Sequence, residues 1–187
     1  MVRIRTLNEQ AAGRPSALLL PGANYTTQAP LLYWSTAVLL SAGWGIRAVE
    51  WEESDKGYES PQHLIDRAFE LNDAETSTAV DLVVAKSLGS LALPRCVDQG
   101  IPGIWLTPLL NRSDIAASLR TADRRHLAIG GTNDRYWVPD AVVGTEAELV
   151  CIEGADHALL HDDWQQSMRT SNDVAAQVAA HLVRLHR

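Results

Sequence analysis

Three side chains of the types used in acyl transfer occur along this sequence in the order serine, aspartate, histidine. They are Ser87, Asp134 and His157, and each follows a short apolar run of the chain. A serine hydroxyl becomes a nucleophile when a histidine accepts its proton, and an aspartate orients that histidine and stabilises its charged form. These residues are therefore the first candidates for a catalytic site, provided that the fold brings them together.

The strongest local signal surrounds Ser87. Residues 81–84 predict a buried strand, and residues 85–89 follow with alanine two places before the serine and glycine two places after it. A sharp turn from strand to helix needs small flanking residues and holds the serine hydroxyl above the sheet. The pattern is a variant of the Gly-x-Ser-x-Gly motif with Ala85 in the first place. It predicts Ser87 as the nucleophile, and the alternative is a serine that only caps the helix.

Asp134 and His157 each come soon after a predicted strand of their own. We predict Asp134 as the acid that orients the histidine, and the alternative is a solvated turn residue or a helix cap. We predict His157 as the general base, with His161 as its rival four residues later.

A metal site is the weaker interpretation of the same region. Four possible ligands there have helical spacing, but the sequence has no second cluster of ligands to complete a site. We therefore expect no metal, and we expect no cofactor. The four are His157, His161, Asp162 and Asp163.

The candidates depend on a chain of alternating strands and helices. Short apolar runs that end at turn residues predict strands, and longer runs with helical spacing predict helices. The predicted strands are 17–20, 46–51, 81–85, 103–107, 126–129 and 147–153, with 4–7 as an extra edge strand. The predicted helices are 28–42, 60–71, 88–98, 113–121 and 172–186, with Ser60 and Asn172 as N-terminal caps and Gly43 and Gly100 at C-termini.

Apolar strands that alternate with helices predict an α/β class of fold. The arrangement is a doubly wound, mostly parallel sheet of about six to seven strands with helices on both faces. In such sheets functional residues lie beyond the carboxyl ends of the strands, which is where the three candidates occur.

The order Ser87, Asp134, His157 on such a chain resembles the α/β-hydrolase superfamily. The resemblance extends over residues 16–187 and is strongest to small, single-domain bacterial esterases and dienelactone-hydrolase-like proteins. Many family members carry a lid domain between the strands that here correspond to 103–107 and 126–129. This chain has room there for one short helix, so the resemblance implies a minimal fold with no cap domain and an open site.

The resemblance also implies an oxyanion hole built from two backbone amides. One donor would be the amide of Leu88, directly after the nucleophile, and the other would be the amide of Ala23. The loop that carries Ala23 is residues 20–25, in which Pro21 replaces the histidine common in the family. The alternative for this loop is a simple Pro-Gly turn.

Residues near the strand ends are candidates for an acyl pocket, and the alternative for each is a place in the core. The candidates are Gly22, Asn24, Tyr25, Trp105, Leu109, Tyr136 and Trp137. We expect Lys86, beside the serine, to be solvated.

Composition limits the class of protein. The chain has 187 residues, 46% of them hydrophobic and 21% charged, which predicts one globular domain spanning residues 1–187. The net charge of −7 argues against nucleic acid as a partner, because an acidic chain repels a phosphate backbone. No apolar run is long enough to cross a membrane, and no targeting segment is visible, so the expected location is the cytoplasm. Cys96 and Cys151 are expected to be buried free thiols.

The function predicted from these observations is a serine hydrolase that cleaves a small carboxylic ester or thioester through an acyl-enzyme. The alternatives are a thioesterase, an amidase or an acyltransferase with the same triad, or a non-catalytic binding module. A flavodoxin-like nucleotide binder is disfavoured, because no glycine-rich phosphate loop follows the first strand. A small-molecule acyl substrate is the expected partner, and an exposed edge strand makes a homodimer possible.

Overall fold

The structure is a computed structural model that describes residues 2–11, 13–51, 60–76 and 79–185. Strands and helices alternate along most of the described chain. The strands are β1 (Val2–Asn8), β2 (Ser16–Leu20), β3 (Gly45–Trp51), β4 (Leu82–Lys86), β5 (Gly103–Leu106), β6 (His126–Gly131) and β7 (Glu148–Ile152). The helices are α1 (Pro30–Ser41), α2 (Gln62–Glu75), α3 (Leu93–Gln99), α4 (Ser113–Thr121) and α5 (Trp164–Leu185), with short 3₁₀ helices at Ser87–Ala92 and Pro139–Val142.

The strands of the described chain form one sheet in the order β1-β3-β2-β4-β5-β6-β7. All neighbouring strands are parallel except β1, which pairs antiparallel with β3 at the edge. The chain runs from β2 to β3 on one side and then crosses to β4 on the other side of β2. Loops diverge where the strand order reverses, which leaves a crevice at the carboxyl ends of β2 and β4.

Side chains alternate between two apolar layers along each central strand. On β2, Leu18 and Leu20 lie in the layer covered by α2, α3 and α4, and Leu19 lies in the layer covered by α1 and α5. Because both faces are covered, the central strands are mostly apolar, as expected for a doubly wound sheet. The fold class predicted from the sequence is confirmed, including the edge strand near the start of the chain.

The connection from β5 to β6 contains one α-helix, α4. The expectation of a minimal fold is confirmed, since no cap domain is evident among the described residues. Within the described ranges, no helix is both long enough and apolar enough to span a membrane.

Two predicted helices differ from the structure at their N-termini. The segment predicted as one helix over 88–98 is a 3₁₀ turn followed by α3, which has proline in its first turn, and it ends at Gly100 (φ 68°) as predicted. The closing helix begins at Trp164 rather than near Asn172, because Asp163 caps it by accepting hydrogen bonds from the amides of Gln165 and Gln166.

Two further expectations about single residues were wrong. Ser60 does not cap α2, since the helix begins at Gln62 and no side chain caps it. Cys151 is exposed rather than buried, because β7 is the last strand of the sheet and lacks a neighbour on its outer side. Cys96 is a buried free thiol as expected.

Candidate active site

Ser87 lies at the sharp turn between β4 and the 3₁₀ helix that follows. Its φ of 50° lies in the left-handed region, which a non-glycine residue adopts only when its surroundings hold it there. Ala85 is fully buried in the strand before the turn. Gly89 is packed so closely on β2 that a Cβ at this position would overlap the carbonyl oxygen of Leu20. Small flanking residues therefore permit the turn, for the reason given by the sequence motif.

The structure brings Ser87, Asp134 and His157 together. The Nε2 atom of His157 lies 2.8 Å from the Oγ of Ser87, and its Nδ1 atom lies 2.7 Å from Oδ2 of Asp134. An ionised carboxylate can only accept hydrogen bonds, so Nδ1–H donates to Asp134 and Nε2 accepts the proton of the serine hydroxyl. This is the tautomer that a general base for Ser87 requires.

Asp134 is held without contact with solvent. Its side chain is 0% exposed, and its second oxygen, Oδ1, accepts a hydrogen bond from the amide of Tyr136 at 2.9 Å. A buried carboxylate with both oxygens bonded has a single orientation. It can therefore fix the ring of His157, whose side chain is 29% exposed on the solvent side of the site.

The loops after β6 and β7 are tied to each other, and this aligns Asp134 with His157. Asn133 donates hydrogen bonds to the carbonyl oxygens of Gly154 and Ala155. A Cβ at Gly131 would overlap the carbonyl of Ala155, so the two loops are in backbone contact. The glycine at the end of β6 and the asparagine directly before Asp134 were signals that sequence reasoning did not use for this link.

The loop after β2 reaches the nucleophile. An ideal Cβ at Gly22 would lie 3.4 Å from the Cβ of Ser87, so the backbone of this loop approaches the turn directly. Trp51 donates a hydrogen bond from Nε1 to the carbonyl oxygen of Pro21 at 3.1 Å. Within the described residues, the amide of exposed Ala23 donates no hydrogen bond to another loop or element. The structure therefore places the loop that carries Ala23 beside the nucleophile turn.

The pocket candidates divide into two groups. Gly22, Asn24, Tyr25 and Tyr136 lie in the loops at the site, and the Tyr136 ring meets the His157 ring edge to face at 4.8 Å. Leu109 is half-buried against the core on the α2, α3 and α4 side, and its amide donates to the Oγ of Ser90 at 3.1 Å. Ser90 is therefore a buried residue of the 3₁₀ turn whose hydroxyl anchors the segment after β5.

Trp105 and Trp137 were wrongly predicted to line the pocket. Trp105 is 0% exposed and donates a hydrogen bond from Nε1 to the Nδ1 of His126 at 3.2 Å. Trp137 is buried against Gly130, where a Cβ would overlap its indole ring. Trp105 points into the core from β5, and Trp137 packs on the core from the loop after β6. Gly103 and Gly130 leave room for the two indoles.

Lys86 was wrongly expected to be solvated. Its side chain is buried, with 4% of the residue exposed, and its Nζ lies 5.0 Å from the centre of the Tyr25 ring. Burial lowers the pKa of Lys86 to about 8, against the opposing influence of Asp134 and Asp156. The missed signal is strand alternation: Leu82, Val84 and Lys86 occupy one face of β4.

The alternative metal ligands are engaged in other contacts. His161 bonds the Oγ1 of Thr170 through Nε2 at 2.8 Å, and Asp163 caps α5. In the described part of the chain, no group of three or more His, Cys, Asp or Glu side chains is arranged to hold a metal ion.

Solved structures with the same architecture cover nearly the whole chain. A putative α/β hydrolase of unknown function from Agrobacterium tumefaciens aligns with a TM-score of 0.75 and 13% identity over 98% of this chain and 90% of its own. The chain has the α/β-hydrolase fold. An α/β serine hydrolase without a lid from Xanthomonas campestris has a TM-score of 0.70 and 16% identity over 98% of this chain and 88% of its own.

A dienelactone hydrolase from Anabaena variabilis also has this α/β-hydrolase fold, with a TM-score of 0.65 and 15% identity over 94% of this chain and 89% of its own. No protein-family model and no curated protein matches the sequence. At such identities the likeness shows the fold, and any conclusion about chemistry depends on the site itself.

Proposed function

We propose that this protein is a serine hydrolase that cleaves small carboxylic esters through an acyl-enzyme. The observation that carries the proposal is the continuous line of hydrogen bonds from Ser87 through His157 to Asp134. A module that only binds a ligand does not need a nucleophile, a base and an orienting acid in one line. The strained φ of Ser87 also supports a catalytic role for this residue, because such strain is typical of functional sites.

Acylation begins when the Oγ of Ser87 attacks the ester carbonyl and its proton passes to Nε2 of His157. Asp134 keeps Nδ1–H pointed at its carboxylate and stabilises the imidazolium ion. The amides of Leu88 and Ala23 donate hydrogen bonds to the oxyanion. When the carbon–oxygen bond to the alcohol breaks, His157 returns its proton to the leaving alkoxide, and the acyl group stays on Ser87.

Deacylation repeats these steps with water as the nucleophile. His157 accepts a proton from the water, the hydroxide adds to the acyl carbonyl, and the bond to Ser87 Oγ breaks as His157 protonates that oxygen. The carboxylic acid leaves and the free serine is restored. Because protonated His157 cannot act as the base, both steps require the neutral ring.

The neighbouring folds support a hydrolase with an open site. One of them is a serine hydrolase without a lid, and another is a dienelactone hydrolase, which acts on an ester within a ring. The connection from β5 to β6 of this chain likewise holds a single helix, α4, and no cap domain. A small acyl substrate fits such a site better than one that must be enclosed.

The decisive experiment is labelling of the folded protein with a fluorophosphonate probe, followed by mass spectrometry of the modified peptide. We expect a single adduct on Ser87, because only an activated serine reacts quickly with this electrophile. Ser87→Ala should lose the adduct, and His157→Ala should label more slowly by about 10³-fold or more, since the base is missing. Ser41→Ala, at an exposed serine on α1, is the matched control and should label like the wild type.

The outcomes separate the candidate functions. Absence of labelling in protein with a native circular dichroism spectrum would contradict the proposal and favour a binding module. Labelling of a different serine would mean that the nucleophile is misassigned. When Ser87 does react, a panel of 4-nitrophenyl esters, thioesters and anilides of the same acyl group ranks the leaving groups by kcat/KM.

A further inference from the structure

Lys86 is a charged residue buried directly beside the proposed nucleophile. It ends β4, its side chain follows Leu82 and Val84 onto the face covered by α1 and α5, and 4% of the residue is exposed. Removing an ammonium group from water is costly unless nearby groups favour the charged form. The surroundings of Lys86 therefore require an explanation that neither packing nor the hydrolytic steps supply.

The stem of Lys86 packs on the loop after β2. An ideal Cβ on Gly22 would lie 3.2 Å from the Cδ of Lys86, so the aliphatic stem supports the backbone of this loop. The ammonium group then lies over the ring of Tyr25, with Nζ 5.0 Å from its centre. A cation over an aromatic face is attracted by the negative potential of the ring, and the attraction is stronger where water is excluded.

The acidic groups near Lys86 attract it without pairing with it. Asp134 and Asp156, in the loops after β6 and β7, raise the pKa of Lys86 against the larger lowering by burial. Both carboxylates already have partners: Asp134 bonds His157 and the amide of Tyr136, and Asp156 bonds the amides of Ala158 and Leu160. Among the described residues, the Nζ of Lys86 forms no ion pair with either carboxylate, and it lies over the Tyr25 ring.

Residues 21–25, called the oxyanion loop below, have few other hydrogen bonds to the described residues. Trp51 bonds the carbonyl of Pro21, and the amide of Tyr25 closes a turn onto Gly22. The hydroxyl of Tyr25 accepts a hydrogen bond from the amide of Leu31 in the first turn of α1. Tyr25 is thus anchored at its tip, and Lys86 is the group that reaches the loop from the β4 side.

We propose that the charged side chain of Lys86 is a positioning residue that holds the oxyanion loop against the nucleophile turn. It joins the strand that carries Ser87 to the loop that carries the second oxyanion donor, and its charge is attracted to both the Tyr25 ring and the acidic side of the site. Lys86 is not the base for Ser87, because the serine hydroxyl bonds His157. The inference rests on the proposed hydrolase function only for its effect on rate.

A charge-dependent support predicts a second pH effect. Because the pKa of Lys86 is lowered to about 8, its ammonium form is lost as the pH rises through that value. The ordered loop then loses its attraction to the cation, and kcat is expected to fall on the alkaline side. The groups that face Lys86 are Tyr25 from the loop after β2, Asp134 from the loop after β6, and Asp156 from the loop after β7.

The test compares Lys86→Met, which keeps the stem and removes the charge, with Lys86→Arg, which restores a cation. For Lys86→Met we expect kcat on a 4-nitrophenyl ester to fall by about tenfold at pH 7, with KM within about twofold and no alkaline decline near pH 8. Lys86→Arg should recover most of the rate and move the decline above pH 9, because guanidinium keeps its proton. Arg95→Met is the matched control, since Arg95 lies over the ring of Phe69 away from the site.

A second readout does not require catalysis. Hydrogen exchange of the Tyr25 amide, which bonds the carbonyl oxygen of Gly22, should accelerate by about fivefold in Lys86→Met and remain unchanged in Arg95→Met. Unchanged exchange in folded Lys86→Met would overturn the proposal, and so would an active Lys86→Met enzyme with the wild-type pH profile. Faster exchange in a protein that never labels at Ser87 would uphold the support of the loop and overturn the proposed hydrolase function instead.

Discussion

Trp105 and His126 form a buried pair whose hydrogen bond depends on the protonation state of the histidine. The indole Nε1–H donates to Nδ1 of His126, and the two rings stack at 6.0 Å between centres. This hydrogen bond requires an unprotonated nitrogen on the imidazole. Burial of His126, with 2% of the residue exposed, lowers its pKa from 6.5 to about 4, so the neutral form is the one that folds.

The stability of the protein should therefore decrease on acidification through this histidine. Between pH 6.5 and 4 the unfolded chain binds a proton at His126 that the folded chain does not bind. The free energy of unfolding therefore decreases as the pH is lowered through this range. We expect the contribution to reach about 2 kcal/mol at pH 4.5. Urea denaturation at pH 7 and pH 4.5 measures it, and His126→Gln should show a smaller change than the wild type.

His63→Gln is the control for that measurement, because His63 is exposed on α2 and its replacement should keep the wild-type dependence on pH. Equal acid sensitivity in His126→Gln and the wild type would contradict the assignment.

At the scale of elements, the site depends on how loops and helix ends are anchored. Helix α5 is the longest helix of the described chain, and it follows the histidine loop. Asp163 accepts hydrogen bonds from the amides of Gln165 and Gln166, two of the amides that a helix leaves unpaired at its N-terminus. The hydroxyl of Ser167 bonds the carbonyl of His161 and thereby joins the first turn of α5 to the segment after the histidine loop.

Removal of this cap should lower stability with little effect on chemistry. Asp163→Ala is expected to reduce the free energy of unfolding by about 1 kcal/mol, and Asp163→Asn, which can cap a helix as well, should retain most of it. Urea denaturation measures both variants. The rate of Ser87 labelling serves as the second readout, and we expect it to be the same in both. A loss of labelling in Asp163→Ala alone would show that the cap also positions His157.

At the scale of the whole molecule, the reversal of strand order decides where the candidate site lies. The sheet reverses between β2 and β4, and the loops beyond these two strands supply the oxyanion loop and the nucleophile turn. The loops after β6 and β7 bring Asp134 and His157 to the same edge. The connection between β5 and β6 holds one α-helix and no cap domain.

An open site predicts simple kinetics with poorly soluble esters. Because no cap has to move at an oil–water surface, the rate should saturate with dissolved substrate and show no jump when an ester exceeds its solubility. Hydrolysis of tributyrin followed by titration below and above its solubility limit tests this. A steep increase above the limit would contradict an open site and indicate a segment that closes over Ser87.

Much of the fold could be predicted from the sequence because the signals are local. Apolar runs such as 17–20 and 81–84 identify buried strands, and the small residues around Ser87 identify a sharp turn. Their order along the chain then indicates a parallel sheet with functional loops at one edge. The starts of helices were predicted less accurately. Helix α5 begins at Trp164, which is 67% exposed, so the first turn lacks the apolar spacing from which the helix was predicted.

The sequence by itself determined the residue types, their order, and the edge of the sheet at which they meet. Only the tertiary structure decided the tautomer of His157, the burial of Lys86, and the placement of Trp105 in the core rather than in a pocket. The physical reason is that a strand or a turn is specified by residues that are adjacent in the chain. Desolvation and hydrogen bonding at the site depend on groups far apart in sequence, which become neighbours only when the sheet is complete.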